Sequence, residues 1–191
     1  VSSGFALITS HGSAVVLCPL FALPLAVVGF FDDRHDLHPA QRYLAQLLTS
    51  FVIVLVSPLV QELSLSGSTG FLLLSLFIAL LVIGVTAVIN FTNFMDGLDG
   101  LVAGCMSVSI TAAASRLGAP WPIWALVGAL LGFLLWNWSP AKVFMGDVGS
   151  TFLGAVFAVL VLQASTWPEA LGLLLVATPL LGDACFCVMR R

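Results

Sequence analysis

Acidic and amide side chains gather in three short stretches of this chain, each directly after an apolar run. The stretches are Asp32-Asp33, the segment 90–100, and the segment 144–147, which ends at Asp147. The chain has 191 residues and only nine acidic side chains. Because an acidic group in or beside a bilayer is costly, such a clustered set predicts a functional site.

The second stretch favours a binding site for a hard cation. Asn90, Asn93, Asp96 and Asp99 recur every three residues, so consecutive members are neighbours on a helical turn. Capping a helix end requires one such side chain rather than four. Carboxylate and amide oxygens suit Mg²⁺, with Mn²⁺ as an alternative. Asp147 offers a further carboxylate, unless it only caps the helix that follows.

Adjacent carboxylates such as Asp32 and Asp33 repel each other and stay ionised together only when cations or hydrogen-bond donors stand nearby. Neighbouring residues that can supply these are Arg34, His35, His38 and Arg42. The alternative interpretation is a solvated polar helix end. Lys142, the single lysine of the chain, precedes Asp147 by five residues. It is a candidate counter-charge for phosphate, or else an anchor at the membrane interface.

The composition indicates a membrane protein. Charged residues make up 8% of the chain, against about 25% in soluble domains, and the mean hydropathy is +1.15. Crossing a bilayer takes about 20 mostly apolar residues. Seven candidate runs lie at 14–31, 44–60, 71–89, 101–117, 123–138, 151–164 and 170–188. The predicted fold is therefore all-α, a polytopic helical bundle with about seven transmembrane helices.

The order of these runs predicts that the three polar stretches share one membrane face. If each run crosses once, the stretches follow the first, third and fifth crossings, which end on the same side. Five of the six basic residues also fall on that side, namely Arg34, Arg42, Lys142, Arg190 and Arg191. By the positive-inside rule this side is the cytoplasmic one.

Together these residues predict phosphoryl transfer between a water-soluble phosphate ester and a lipid phosphate. Such chemistry needs positioning and charge neutralisation more than a protein nucleophile. The net charge of −3 provides no basic patch for nucleic acid, and no Walker loop is present. A cation- or proton-coupled transporter is the alternative, although it would place acids near the bilayer midplane. A catalytically idle scaffold subunit is a third candidate.

Three motifs resemble one family of enzymes. They are Gly29-Phe-Phe-Asp-Asp33, the segment Asn90-Phe-Thr-Asn-Phe-Met-Asp-Gly-Leu-Asp-Gly-Leu101, and the segment 136–154 around Phe-Met-Gly-Asp147. In this order they resemble the polyprenyl-phosphate N-acetylhexosamine-1-phosphate transferases, bacterial glycosyltransferase family 4. The likeness favours the transferases that start O-antigen, teichoic acid or related glycans over the phospho-MurNAc-pentapeptide translocase.

The resemblance implies an activity and roles for particular residues. The family moves a sugar 1-phosphate from a UDP-sugar to undecaprenyl phosphate and releases UMP, with Mg²⁺ at the pyrophosphate. Carried over to this sequence, Asn93 and Asp147 would hold the metal, and Asp32 and Asp33 would lie near the lipid phosphate. Further expected roles are a nucleotide-facing position for Asp96 and Asp99, stacking on uracil for Phe144, and substrate binding for Asn90, Arg42 and Lys142.

The resemblance also implies a larger protein around this chain. Family members have about ten crossings, so we expect residues 1–191 to be a single transmembrane catalytic domain truncated at both ends. The expected partners are a UDP-N-acetylhexosamine, undecaprenyl phosphate, the lipid bilayer and a second copy of the chain in a homodimer. The expected location is the bacterial inner membrane. Direct attack by the lipid phosphate is favoured over a covalent intermediate on an aspartate such as Asp33, since a phosphate oxygen already serves as nucleophile.

Overall fold

The computed structural model describes residues 11–65 and 70–190, and within these ranges the chain is helical with no β-strand. The helices are α1 (His11–His35), α2 (Pro39–Leu55), α3 (Pro58–Leu65), α4 (Phe71–Phe94), α5 (Leu101–Leu117), α6 (Trp121–Asn137), α7 (Gly146–Leu162), α8 (Trp167–Val176) and α9 (Thr178–Met189), with a 3₁₀ turn at Met95–Gly97. The all-α prediction is thereby confirmed.

Two of the predicted apolar runs are broken helices. The run 44–60 becomes α2 and α3, which meet at an angle of 60°, and the run 170–188 becomes α8 and α9, at 75°. Pro58 and Pro179 lie in the first turn of α3 and of α9. A proline is tolerated there but cannot continue a preceding helix, because its ring fixes φ and removes the N–H donor.

The number of membrane crossings stays a prediction. Within the described residues one helical segment, α4 together with the 3₁₀ turn that follows it (Phe71–Gly97), is long and apolar enough to cross. The two bent pairs raise the number of possible spans to three if each pair is one span. Helices α5, α6 and α7 have 17 residues each. At 1.5 Å per residue they are roughly 26 Å long, somewhat short of a ~30 Å hydrocarbon core.

Helix α2 is apolar outside and polar inside, the reverse of a soluble amphipathic helix. Its exposed side chains include Leu47, Leu48 and Phe51, whereas Gln46 and Ser50 are buried. Lipid accepts the apolar face, and the buried polar groups can only be satisfied by partners within the protein. The pattern is typical of a membrane protein and turns the polar residues of α2 towards the other helices.

Helix α7 is the centre of the bundle. Nearly all of its residues from Ser150 to Leu162 are buried, and it packs against α1 and α4 along its length. The contact with α1 is close at Gly29, where an added Cβ would lie 2.7 Å from backbone atoms of Asp147 and Val148. This packing brings the end of α1 to the first turn of α7, where the polar stretches meet.

Candidate active site

The polar stretches converge on a narrow cavity of about 30 Å³ between α1, α2, α4 and α7. Its polar lining comes from four separate parts of the sequence, namely Asp32, the α2 residues Arg42, Tyr43 and Gln46, the α4 residues Asn90 and Asn93, and the α7 residues Asp147 and Thr151. The polar stretches thus meet at one end of the bundle, and their shared membrane face stays a prediction.

Arg42 joins the two carboxylates of the cavity. Its Nη1 donates to Asp32 Oδ2 at 2.7 Å and to Asp147 Oδ2 at 3.3 Å. The second oxygen of Asp32, Oδ1, accepts a hydrogen bond from the backbone N–H of Leu37 at 2.9 Å. Asp32 is 7% exposed, so its negative charge requires these partners.

The environments of Asp32 and Asp147 move their pKa values in opposite directions. Burial alone would raise the pKa of Asp32, but hydrogen bonds with Asp147, Arg42 and the Leu37 N–H outweigh it, so that the pKa is lowered. Burial raises the pKa of Asp147, as does the hydrogen bond that its protonated carboxyl donates to Asp32, and the charges of Asp32 and Asp33 add to this. Two close carboxylates cannot both ionise easily, so Asp147 is the member that most needs a cation.

Asn93 orients Asp147. Its Nδ2 donates to Asp147 Oδ1 at 2.7 Å and to Ser150 Oγ at 2.9 Å. Because the amide nitrogen is directed at these two acceptors, the amide oxygen of Asn93 is the atom left to serve as a ligand. The structure therefore brings together the two residues that the family resemblance assigns to the metal.

Asp33 caps the N-terminus of α7. Its carboxylate accepts hydrogen bonds from the backbone N–H groups of Asp147 at 3.0 Å and Val148 at 3.3 Å. Gly146, at φ +66°, makes the turn into the helix, and a Cβ there would lie 2.7 Å from Asp33 Oδ2. The hydroxyl groups of Ser150 and Thr151 donate to carbonyls within α7. The cap thus comes from α1 across the bundle.

The remaining acids of the segment 90–100 lie outside the cavity lining. Asp96 lies in the 3₁₀ turn that follows α4, and burial, followed by the charges of Asp147 and Asp33, raises its pKa to about 6. Asp99 Oδ2 accepts a hydrogen bond from the Ala141 N–H at 3.0 Å. The expected helical turn therefore ends after Asn93, because the chain changes direction at the 3₁₀ turn.

Asn137 ties the segment 95–100 to the loop that precedes α7. It is 5% exposed, its Oδ1 accepts from the Gly100 N–H at 3.0 Å, and its Nδ2 donates to the Val143 carbonyl at 2.8 Å. Both bonds are structural, since they connect two backbone segments beside the cavity. Together with Asp99 they hold the loop 138–145 in place.

Two residues expected to bind substrate lie outside the cavity lining. Phe144 is 73% exposed, and the Lys142 Nζ lies 5.6 Å from the centre of the Trp136 ring. An exposed ring can stack on a base, and a cation over indole is held by the ring quadrupole. Both lie in the loop 138–145, which precedes Asp147 and is held in place by Asn137 and Asp99.

Among the four basic residues near Asp32 and Asp33, the structure directs Arg42 to the carboxylates. Arg34 packs over the Phe30 ring at 4.8 Å, His35 Nδ1 lies 3.3 Å from the Phe31 carbonyl, and His38 Nδ1 accepts from the Ala40 N–H at the start of α2. Of the four residues that could compensate the paired acids, Arg42 is the one in contact with Asp32 among the described residues. Arg42 reaches Asp32 because the turn after α1 places the first turn of α2 beside this carboxylate.

A profile of known sequences decides the family. The profile of glycosyl transferase family 4 matches residues 15–165. The chain belongs to glycosyl transferase family 4.

Curated relatives within this family carry two kinds of name. A probable undecaprenyl-phosphate N-acetylglucosaminyl 1-phosphate transferase of Bacillus subtilis is 31% identical over 182 residues, which cover 89% of this chain and 51% of that protein. A phospho-N-acetylmuramoyl-pentapeptide-transferase of Lactococcus lactis is 33% identical over 163 residues, covering 74% and 48%. One from Chlamydia trachomatis is 47% identical over 96 residues, covering 46% and 28%.

The chain spans about half the length of the first two relatives. Their identities of 31% and 33% do not separate the two kinds of transferase, so the expected closeness to the glycan-initiating branch stays a prediction. The single-domain boundaries, the roles of the individual site residues and the homodimer also stay predictions.

The cavity presents oxygen atoms that suit a divalent cation. Within the described residues, His, Cys, Asp and Glu side chains form no group of three that could hold a metal ion. Asp147 and the amide oxygen of Asn93 could hold such an ion, and water or substrate oxygens would complete the shell. This oxygen-only set fits Mg²⁺, which usually binds through one or two carboxylates plus phosphate oxygens.

Gln46 is a cavity residue that sequence patterns did not single out. It is 6% exposed, and its Oε1 accepts a hydrogen bond from Asn90 Nδ2 at 2.7 Å. The signal in the sequence is a polar residue inside the apolar run 44–60, because a polar side chain needs a hydrogen-bond partner when it is buried. The side-chain amides of Gln46 and Asn90 form one pair across α2 and α4.

Proposed function

We propose that the full-length protein transfers a sugar 1-phosphate of the N-acetylhexosamine type from a UDP-sugar to undecaprenyl phosphate and releases UMP. This would be the initiating step of bacterial cell-surface glycan synthesis. The single observation that carries the proposal is the meeting of Arg42, Asp32, Asp147 and Asn93 in one cavity at the ends of apolar helices. Family 4 membership and the names of its relatives support the substrate classes.

Mg²⁺ is the proposed cofactor, held by Asp147 and Asn93. Bound there, the ion would supply neutralisation of phosphate charge. The raised pKa of Asp147 supports this role, because a carboxylate destabilised by burial and by Asp32 gains most from a nearby cation. Arg42 already bridges Asp32 and Asp147 as a positive group, so it is placed to bind phosphate beside that carboxylate pair.

Direct attack by the lipid phosphate is the proposed route. An oxygen of undecaprenyl phosphate would form a bond to the sugar-bearing phosphorus, while the bond between that phosphorus and the bridging oxygen breaks and UMP leaves. Asp33 accepts two backbone hydrogen bonds as the cap of α7, and Asp32 is held by Arg42 and the Leu37 N–H. Carboxylates that are held in this way are poor candidates for a covalent intermediate.

The location of the acids in and beside the cavity favours a transferase over a transporter, although Asp183 lies inside α9. Asp32 and Asp33 lie in the last turn of α1, Asp147 lies in the first turn of α7, and Asp96 follows the end of α4. A transporter would place its acids near the middle of the membrane spans. We propose a multi-pass protein of the bacterial inner membrane whose active site opens at the cytoplasmic face.

UMP release tests the proposal. The full-length protein in detergent or nanodiscs would be incubated with undecaprenyl phosphate, Mg²⁺ and one member of a panel of UDP-sugars. We expect UMP and a lipid-linked sugar in equal amounts with at least one UDP-N-acetylhexosamine, and loss of both products in EDTA. Failure to form either product with every sugar of the panel would overturn the proposed function, and full activity in EDTA would overturn the metal.

A further inference from the structure

Gln46 is placed to do more than support Asn90. It lies one helical turn after Arg42, so the two side chains share a face of α2, and both line the cavity together with Asp147. Its side chain carries one acceptor and two donor hydrogens. Which of these faces the cavity depends on the orientation of the Asn90 amide.

The backbone of α4 fixes that orientation. Asn90 Nδ2 lies 2.9 Å from the Thr86 carbonyl and 2.7 Å from Gln46 Oε1. A carbonyl oxygen can only accept a hydrogen bond, so the Asn90 atom beside it must be the amide nitrogen. The Gln46 atom that faces this nitrogen must then be its oxygen, and the donor nitrogen of Gln46, Nε2, points away from Asn90.

The donor nitrogen of Gln46 belongs to a side chain that lines the cavity. In the part of the chain that the structure describes, Nε2 has no hydrogen-bond partner, and the fully buried side-chain atom without one is Gln163 Oε1. Gln46 Nε2 is therefore reached by solvent although the residue is 6% exposed. Since Gln46 lines the cavity, that opening is a route for a ligand atom.

We propose that Gln46 is a substrate-binding residue whose Nε2 donates a hydrogen bond to a phosphate oxygen held by Arg42. A neutral donor suits this place, because a second cation on α2 would compete with Arg42 for Asp32 and Asp147. Hydrogen bonds to charged acceptors are stronger than neutral ones. The inference rests on the proposed function, which supplies two sources of that phosphate, the lipid phosphate and the UDP-sugar.

Ligand binding by the full-length protein tests the inference without turnover. The affinities for undecaprenyl phosphate and for UDP-N-acetylglucosamine would be measured separately for the wild type, Gln46→Met and Gln46→Glu. We expect Gln46→Met to weaken one ligand by roughly tenfold, equivalent to about 1.4 kcal/mol. The ligand that responds identifies the source of the phosphate. Gln46→Glu should weaken the same ligand at least as much, because its carboxylate repels phosphate.

Gln46→Glu also separates substrate binding from support of Asn90. Glutamate keeps the acceptor for Asn90 Nδ2 and loses the donor, so near-normal binding in this variant would overturn the inference even if Gln46→Met binds poorly. Being isosteric, it provides the measurement if the methionine variant does not fold. The control is Ser57→Ala, which removes the buried bond from Ser57 Oγ to the Leu162 carbonyl at the far end of the bundle. It should lower thermal stability and leave both affinities unchanged.

Two further outcomes are decisive. An equal loss of affinity for both ligands, accompanied by a lower unfolding midpoint, would assign Gln46 a purely structural role and overturn the inference. If the wild type binds neither ligand, the proposed function fails and the inference fails with it. Unchanged affinities in both Gln46 variants, with a wild type that binds, would overturn the inference alone.

Discussion

Replacing Asp147 by asparagine removes a charge and one hydrogen bond from the centre of the cavity. The two oxygens of Asp147 accept from Asn93 Nδ2 at 2.7 Å and from Arg42 Nη1 at 3.3 Å. An asparagine amide has one oxygen and one NH₂ group, so its NH₂ would face a donor whichever way it turned. The variant therefore breaks one contact of the site and removes the carboxylate proposed for Mg²⁺.

The size of the effect follows from these contacts. A hydrogen bond to a charged group contributes about 1.5–3 kcal/mol, and the lost charge at the proposed metal adds to that. Taking ~2.7 kcal/mol as a lower bound, we expect the rate of transfer by Asp147→Asn to fall by at least roughly 10²-fold. Loss of a helix cap alone would be worth about 1 kcal/mol, and the cap of α7 comes from Asp33.

UMP release by the full-length protein at saturating Mg²⁺ is the assay. The control is Asp36→Asn, because Asp36 is exposed and has a φ of 50°, in the left-handed region that asparagine also adopts. Its rate should stay close to that of the wild type. If Asp147→Asn retained a rate within a few-fold of the wild type under these conditions, Asp147 would have no role in charge stabilisation.

Two further predictions concern stability, measured by thermal unfolding in detergent. Since the folded protein raises the pKa of Asp96 from 3.8 to about 6, it favours the protonated form, and the stability that this group contributes is lost as the pH rises from about 4 through 6. In metal-free buffer Asp96→Asn should therefore be more stable than the wild type by about 1 kcal/mol at pH 8, allowing for solvent screening. Near pH 3 the two proteins should be equally stable. The same stability difference at both pH values would contradict this prediction. Gly29→Ala should destabilise the protein by about 1–3 kcal/mol, because its Cβ meets the backbone of α7 at 2.7 Å. The control Gly84→Ala, with no atom within 4 Å of an added Cβ, should be neutral or slightly stabilising, and similar midpoints for the two variants would refute the close contact.

Much of the site could be recognised from the sequence because polar residues are conspicuous in apolar runs. Asn93 and Asp147 were assigned to one metal by resemblance, and the structure places their side chains in contact. The different positions of Asp32 and Asp33 do not follow from the sequence pattern. Asp32 points into the cavity and Asp33 caps α7, since adjacent residues on a helix point in directions about 100° apart.

The amino-acid sequence predicts where most of the helices lie and at which ends their polar residues stand, because hydropathy and turn-forming residues act over a few neighbours. The run 101–117, for example, coincides with α5 (Leu101–Leu117). The partner of each site side chain depends instead on how the helices pack. Arg42 meets Asp147 across 105 residues and Asp33 caps α7 across 114 and 115. Such pairs depend on how closely α1 and α2 pack on α7, and local sequence does not encode those distances.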